Sequence, residues 1–245
     1  MIRADVCRAA LSGGKECPMR VFLKVLAALL VLFILYQLWI FGHIVYWRTN
    51  NPSASAFMTE QLARLQETDP NAELRHKWVS YERISPNLKR ALIAAEDAKF
   101  VDHEGFDWDG MEAAFEKNMK QGRIVAGGST ISQQLAKNLF LSSRKTPWRK
   151  LEEAIITVML EAVMDKRRIF EIYLNVIEWG NGVFGAEAAA RHYYGISASR
   201  LSAPQAAKLA AMVPNPRYYD EHRNARGLAR KTRIILRRLP YADLP

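Results

Sequence analysis

A run of apolar residues near the N-terminus limits this chain more than any other feature. From Val25 to Gly42 only Gln37 is polar, a stretch of about 18 residues, the length at which a helix can cross a bilayer. Tyr36, Trp39, Phe41, Tyr46 and Trp47 gather toward its far end, as in an interfacial aromatic belt. Lys24 stands near the start, where its stem can snorkel. Arg3, Arg8, Lys15, Arg20 and Lys24 face only Asp5 and Glu16 on the N-terminal side. The positive-inside rule then puts residues 1–20 in the cytoplasm, a transmembrane helix at 21–47, and the rest outside. A cleaved leader would have a shorter apolar region, and no small-x-small site is well placed after Phe41, so an uncleaved anchor is expected.

The remaining chain, out of 245 residues with 49% hydrophobic, is long enough for one ordinary domain with a sizeable core. The formal net charge of +10 calls for an anionic partner: nucleic acid, a membrane surface or a phosphorylated ligand. Export makes nucleic acid a poor partner and favours an anion attached to a membrane. Both cysteines, Cys7 and Cys17, lie in the expected tail. The exported part therefore has no disulfide, no thiolate chemistry and no cysteine-ligated metal.

Residues 48–80 read as a polar linker or membrane-proximal segment with one short helix, Ala56 to Gln66. The domain proper is expected over 81–240 and is mainly α. Ser85-Pro86 starts one helix, Leu88, Ala91, Leu92 and Ala95 marking its apolar face. A weaker helix covers Trp108 to Lys120, in the segment expected to be most mobile. Thr130-x-x-Gln133 opens the next as a capping box. Helices follow over Trp148–Met164 and Arg168–Ile177, with Asn175 as a cap. Ser202-x-x-Gln205 caps another, stopped by Pro214. Glu178–Gly185 reads as a loop, and no alternating β pattern stands out. A basic helix, Asn224 to Leu239, closes the chain; it suits a solvated basic face or contact with anionic lipid.

Four segments carry chemistry. Glu96-Asp97 ends an apolar helix and is followed by Phe100 and His103, spaced so that Glu96, Phe100 and His103 share a face if the helix persists. Alone, this run fits better a helix end with Asp97 solvated, His103 satisfied locally and Gly105 as the stop than a catalytic site. Gly127-Gly128-Ser129-Thr130-Ile131-Ser132-Gln133-Gln134 can present backbone amides to an anion, with Gln134, Lys137 and Asn138 beyond it. Arg149-Lys150-Leu151-Glu152-Glu153 places two cations in a first helical turn, which the macrodipole disfavours; a phosphate facing them would explain the placement. Glu171-Ile172-Tyr173-Leu174-Asn175 ends the next helix, its apolar members reading as core.

In this order the four segments resemble the motifs of the peptidoglycan glycosyltransferases, family fifty-one of the glycosyltransferases. That family reads Glu-Asp-x-x-Phe-x-x-His-x-Gly, then Gly-x-Ser-Thr-Ile-x-Gln-Gln, then Arg-Lys-x-x-Glu, then a helix ending Tyr-Leu-Asn. The match covers residues 96–175, with Ser132 where threonine is common. The Gly180-x-Gly182-x-x-Gly185 segment, Tyr193-Tyr194-Gly195 and Pro214-x-Pro216 are also similar. Because the sequence stops at Pro245, a monofunctional member of the Gram-negative type, without a transpeptidase domain, is expected.

The resemblance implies a lysozyme-like helical lobe with a small membrane-proximal jaw. It implies polymerisation of lipid II into β-1,4-linked glycan, with inversion at C1 and release of undecaprenyl diphosphate. Glu96 then matches the base and Glu153 the second acid. Lys137, Arg149 and Lys150 match the cations on the pyrophosphate, supported by Gln134, Asn138, Ser129 and Thr130. Asp97, Phe100 and His103 would maintain the site. No metal-ligand spacing is evident and no cofactor is required, though the pyrophosphate leaves room for Mg²⁺ or Mn²⁺. The implied partners are lipid II, the growing strand, inner-membrane lipids and cell-wall synthesis or division proteins, with the catalytic domain in the periplasm. An anchored glycan hydrolase and a non-catalytic scaffold are the rival readings; a hydrolase would not need the cations, since its leaving group is a sugar hydroxyl.

Overall fold

The computed structural model describes residues 18–123, 127–144 and 146–245. Arg3, Arg8, Lys15 and both cysteines of the expected cytoplasmic tail lie outside the described residues. The chain divides into two compact units, Met1–His43 and Ile44–Pro245.

Helix α1, Pro18–Trp47, is long and apolar enough to cross a membrane. Phe22, Leu26, Leu29, Leu30 and Leu38 are exposed along it, as lipid-facing side chains would be. The helix begins three residues before the expected span and ends where expected.

The second unit is built from short capped helices. α2 (Ala56–Gln66) is capped by Ser55. α3 (Pro86–Glu96) has Ser85 as its cap and proline in its first turn, and buries Leu88, Ala91, Leu92, Ile93 and Ala94. α4 (Trp108–Gln121) starts at Asp107 and ends at Gly122 in the left-handed region. α5 (Ile131–Phe140) opens with the full Thr130–Gln133 capping box. α6 (Pro147–Val163) is capped by Thr146 and α7 (Lys166–Val176) by Asp165. Short strands β1 (Arg75–His76), β2 (Glu178–Gly180) and β3 (Val183–Phe184) follow from opposite parts of the chain. Then come α8 (Ala186–Tyr194), α9 (Ala203–Met212), α10 (Pro216–Glu221) and α11 (Arg226–Arg238).

α7 is the centre of the unit. Ile169, Phe170, Ile172, Tyr173, Leu174, Asn175 and Val176 are all buried. Fully burying a large apolar side chain contributes about 1.5–3 kcal/mol, so this helix is the firmest base available to a site. α5 packs against α2, α6 and α7, while α9 packs against α3 and α11.

Two expectations are corrected here. The segment Glu178–Gly185, read as a loop, is a β-hairpin: β2 and β3 pair antiparallel, and β1 joins β3 in parallel with Arg75 opposite Val183. Strands of two or three residues are too short to show alternation, so no periodic signal existed to find. Asn175, read as a cap, lies within α7 and is fully buried. Its side-chain amide donates to Val79 O at 3.0 Å, and its oxygen accepts from Val79 N at 3.0 Å, which ties the segment before α3 to the central helix. Gly185 follows because its φ is +81° and a Cβ there would stand 2.7 Å from Asn175 O; no other residue fits both conditions.

Candidate active site

α3 stops at Glu96, so Glu96, Phe100 and His103 do not share a helical face as the spacing suggested. Asp97 leaves the helix at φ −161°, ψ 80°, and residues 98–102 form turns. The cause is a tertiary demand on Asp97. Its carboxylate accepts from Ile131 N at 2.9 Å and from His103 Nε2 at 3.0 Å. It thereby holds the start of α5 against the end of α3. Phe100 is fully buried, 5.5 Å from the Phe170 ring. Asp97, Phe100 and His103 thus occupy framework positions beside Glu96. Gly105 does not stop a helix; at φ +88° it lies where a Cβ would meet Thr157 Cγ2 at 2.8 Å.

The Glu96 carboxylate is half-buried and borders two cavities of about 150 and 160 Å³. The first is lined also by Gly127, Gly128 and Ser129, and the second by Lys231 and Ile234; Arg238 borders both. Gln134 Nε2 donates to Glu96 Oε2 at 2.8 Å. Burial pushes the Glu96 pKa above the ordinary carboxylate range; Gln134, Lys231 and Lys137 pull it back, and Asp97 adds to the rise. A carboxyl so placed gives up its proton less readily and holds one more firmly than an exposed acid, which moves it toward the range of a general base.

The second acid is treated differently. Glu153, on α6, is buried. It accepts from Arg149 Nη1 at 3.3 Å and makes a short contact with Lys150 Nζ. Lys150 Nζ also reaches Ser129 Oγ at 3.3 Å. The first-turn cations therefore have an acid one turn on, which offsets the unfavourable dipole. Arg149 Nε is buried without a hydrogen-bond partner among the described residues. Lys137, on α5, is half-buried. Burial lowers its pKa, and the fields of Glu153, Arg149, Lys150 and Glu96 all act on it, so the two acids and three cations share one neighbourhood. Three cations against Glu153 leave this cluster net positive.

The other expected contacts are less open. Thr130 is buried; its hydroxyl accepts from Gln133 N and donates to Gly105 O at 2.7 Å. Asn138 is buried and donates to Gln134 O at 2.7 Å. Ser129 is exposed at the cavity edge.

Sequence reasoning missed three residues. Tyr173 read as core, yet its hydroxyl donates to Gln134 Oε1 at 3.0 Å. Lys231 and Arg238 read as part of a solvated basic helix, yet both line cavities at Glu96. A tyrosine and two cations on otherwise amphipathic helices gave no signal of their destination.

Fold and site together define a helical enzyme domain with a desolvated acid beside a cationic cluster. A family model described as Transglycosylase matches residues 60–240. A biosynthetic peptidoglycan transglycosylase of Chromobacterium violaceum is 79% identical over 226 residues, covering 92% of this chain and 99% of that relative. Proteins of the same description from Laribacter hongkongensis and Methylobacillus flagellatus are 77% and 70% identical, over 89% and 92% of this chain and 96% and 99% of their own lengths. The chain belongs to the transglycosylase family. The matched residues include the second half of α2, from Glu60, as well as every motif from Glu96 to Asn175.

Proposed function

We propose that this protein polymerises peptidoglycan glycan strands from lipid II. The observation that carries the reading is the half-buried Glu96 carboxylate, raised in pKa by burial, in the same neighbourhood as the Lys137, Arg149 and Lys150 cations. Glu96 takes the proton of the acceptor 4-hydroxyl as its oxygen attacks C1 of the donor. The bond from C1 to the pyrophosphate breaks, C1 inverts, and undecaprenyl diphosphate leaves carrying the electron pair. That leaving group is a weak base and needs positive charge more than a proton. Lys137, Arg149 and Lys150 supply the charge, with Gln134 orienting Glu96 and Ser129 at the rim. Glu153 holds Arg149 and Lys150 in place rather than taking a proton.

No group of three or more histidine, cysteine, aspartate or glutamate side chains able to hold a metal ion occurs among the described residues. The acids nearest the site are already engaged, Glu153 by two cations and Asp97 by His103 and Ile131 N. The protein's own donors thus do not fit a resident Mg²⁺ or Mn²⁺, and an ion at this site would be held by the substrate's pyrophosphate. α1 anchors the domain in the inner membrane with the catalytic unit in the periplasm, where the substrate's lipid tail stays in the bilayer.

The test is polymerisation of purified lipid II in detergent by wild type and Glu96→Gln. Long glycan from wild type and none from the variant, at equal substrate binding, is the expected result. Near-normal glycan from the variant would overturn the base assignment. Shortened glycan from sacculi, with no polymer from lipid II, would point to a hydrolase instead.

A further inference from the structure

Side chains from three helices stand in line behind the site: Tyr173 on α7, Gln134 on α5 and Glu96 on α3. Tyr173 Oη lies 3.0 Å from Gln134 Oε1, and Gln134 Nε2 lies 2.8 Å from Glu96 Oε2. A glutamine amide can be turned either way in such a chain, and the two orientations have opposite consequences. With Nε2 toward Glu96, the amide donates to the carboxylate and favours its ionised form. With Oε1 toward Glu96, a lone pair faces the carboxylate and favours its protonated form.

We infer that Tyr173 is a positioning residue that locks the Gln134 amide with its N–H toward Glu96, and so keeps Glu96 ionised and ready to accept the acceptor's proton. The inference rests on the proposed role of Glu96 as base. Three observations support it. Tyr173 is fully buried, so no water competes for its hydroxyl and Gln134 is the one side chain it meets among the described hydrogen bonds. Burial, with the fields of Glu96 and Asp97, pushes the phenol pKa well above its ordinary value; it remains a donor at any working pH. Gln134 is itself held at its backbone, where Asn138 donates to its carbonyl, so the amide torsion is the freedom that the tyrosine removes.

Other groups also bear on Glu96. Lys137 from α5 and Lys231 from α11 favour its charged form and Asp97 opposes it, and Arg238 lines the same cavities. These charges act whichever way the amide points. The tyrosine's effect is separable because it passes through one neutral side chain.

The experiment is the pH profile of kcat/KM for lipid II polymerisation by the full-length protein in detergent. Tyr173→Phe keeps the ring and removes the hydroxyl. Its acid limb should move to higher pH, so that the rate on that limb falls about tenfold, the scale of one hydrogen bond to a charged group. KM on the plateau should change little. Gln134→Met, at a half-buried position, keeps the test alive if Tyr173→Phe folds poorly; its limb should move at least as far. The double variant should move no further than Gln134→Met alone. A uniform fall in rate at every pH with the limb unmoved, or additive shifts in the double variant, would overturn the relay. If Glu96→Gln retains polymerisation, the base reading fails instead. If Glu96→Gln is inactive and neither relay variant moves the limb, only the relay fails.

Discussion

At the end of α3, Glu96 has a hydrogen bond from a neutral amide, whereas in the first turns of α6 Glu153 is gripped by Arg149 and Lys150. Lys137 feels both acids. One residue type therefore does two jobs a short way apart, and the partner decides which. A buried carboxylate with no directly bonded cation holds its proton more firmly than an exposed acid. A carboxylate bonded to two cations fixes where those cations stand. Neither helix end would disclose this from its own sequence, because both acids follow an ordinary amphipathic pattern.

The sharpest way to break the comparison is to remove each acid's charge. Glu96→Gln should lower polymerisation by roughly 10²–10⁴-fold, the range for losing a general base, without loss of fold. Glu153→Gln should act through the cations: about a tenfold to hundredfold loss, much of it in KM. It should also cost about 1–3 kcal/mol of stability, since Arg149 loses its one described ion pair. Equal losses of kcat with unchanged KM in both variants would erase the distinction.

Lys137→Ala should come next, with a loss of about tenfold or more in kcat/KM as pyrophosphate contact weakens. It should also move the acid limb to higher pH, because Lys137 helps hold Glu96 ionised. An unmoved limb would place Lys137 outside the reach of Glu96.

The burial of Glu96 should also make stability depend on pH. Folding raises the Glu96 pKa above its unfolded value, so the folded chain binds that proton more tightly than the unfolded chain. The penalty for burying the charge is absent below the ordinary carboxylate range and reaches its full size once pH has risen through the raised value. Glu96→Gln should thus raise the melting midpoint at neutral pH and leave it unchanged at low pH. Calorimetry across that window checks the sign; a midpoint lowered at neutral pH would mean the carboxylate is stabilised when charged.

The smallest effect concerns Thr130. Its hydroxyl is used by Gln133 N and Gly105 O, so Thr130→Ala should cost about 1 kcal/mol of stability, as other helix caps do, with KM for lipid II within about twofold. A large rise in KM would return Thr130 to the substrate.

Much of this protein was legible in order along its chain. The membrane-length helix and the capped helices at Ser85, Thr130 and Ser202 follow from local rules, apolar length and side chains that cap a helix, while the motif residues from Glu96 to Glu153 were legible through resemblance to a family. The local interactions are written between neighbours in sequence and survive any packing. The turn after Glu96, the β-hairpin at Glu178–Phe184, the burial of Asn175 against Val79, and the meeting of Tyr173, Gln134, Lys231 and Arg238 around one carboxylate were settled by tertiary structure alone. Each depends on residues far apart in the chain, the hairpin through its pairing with Arg75–His76, and it is burial, which only packing produces, that turns Glu96 from an ordinary helix-end acid into one whose proton can be put to use.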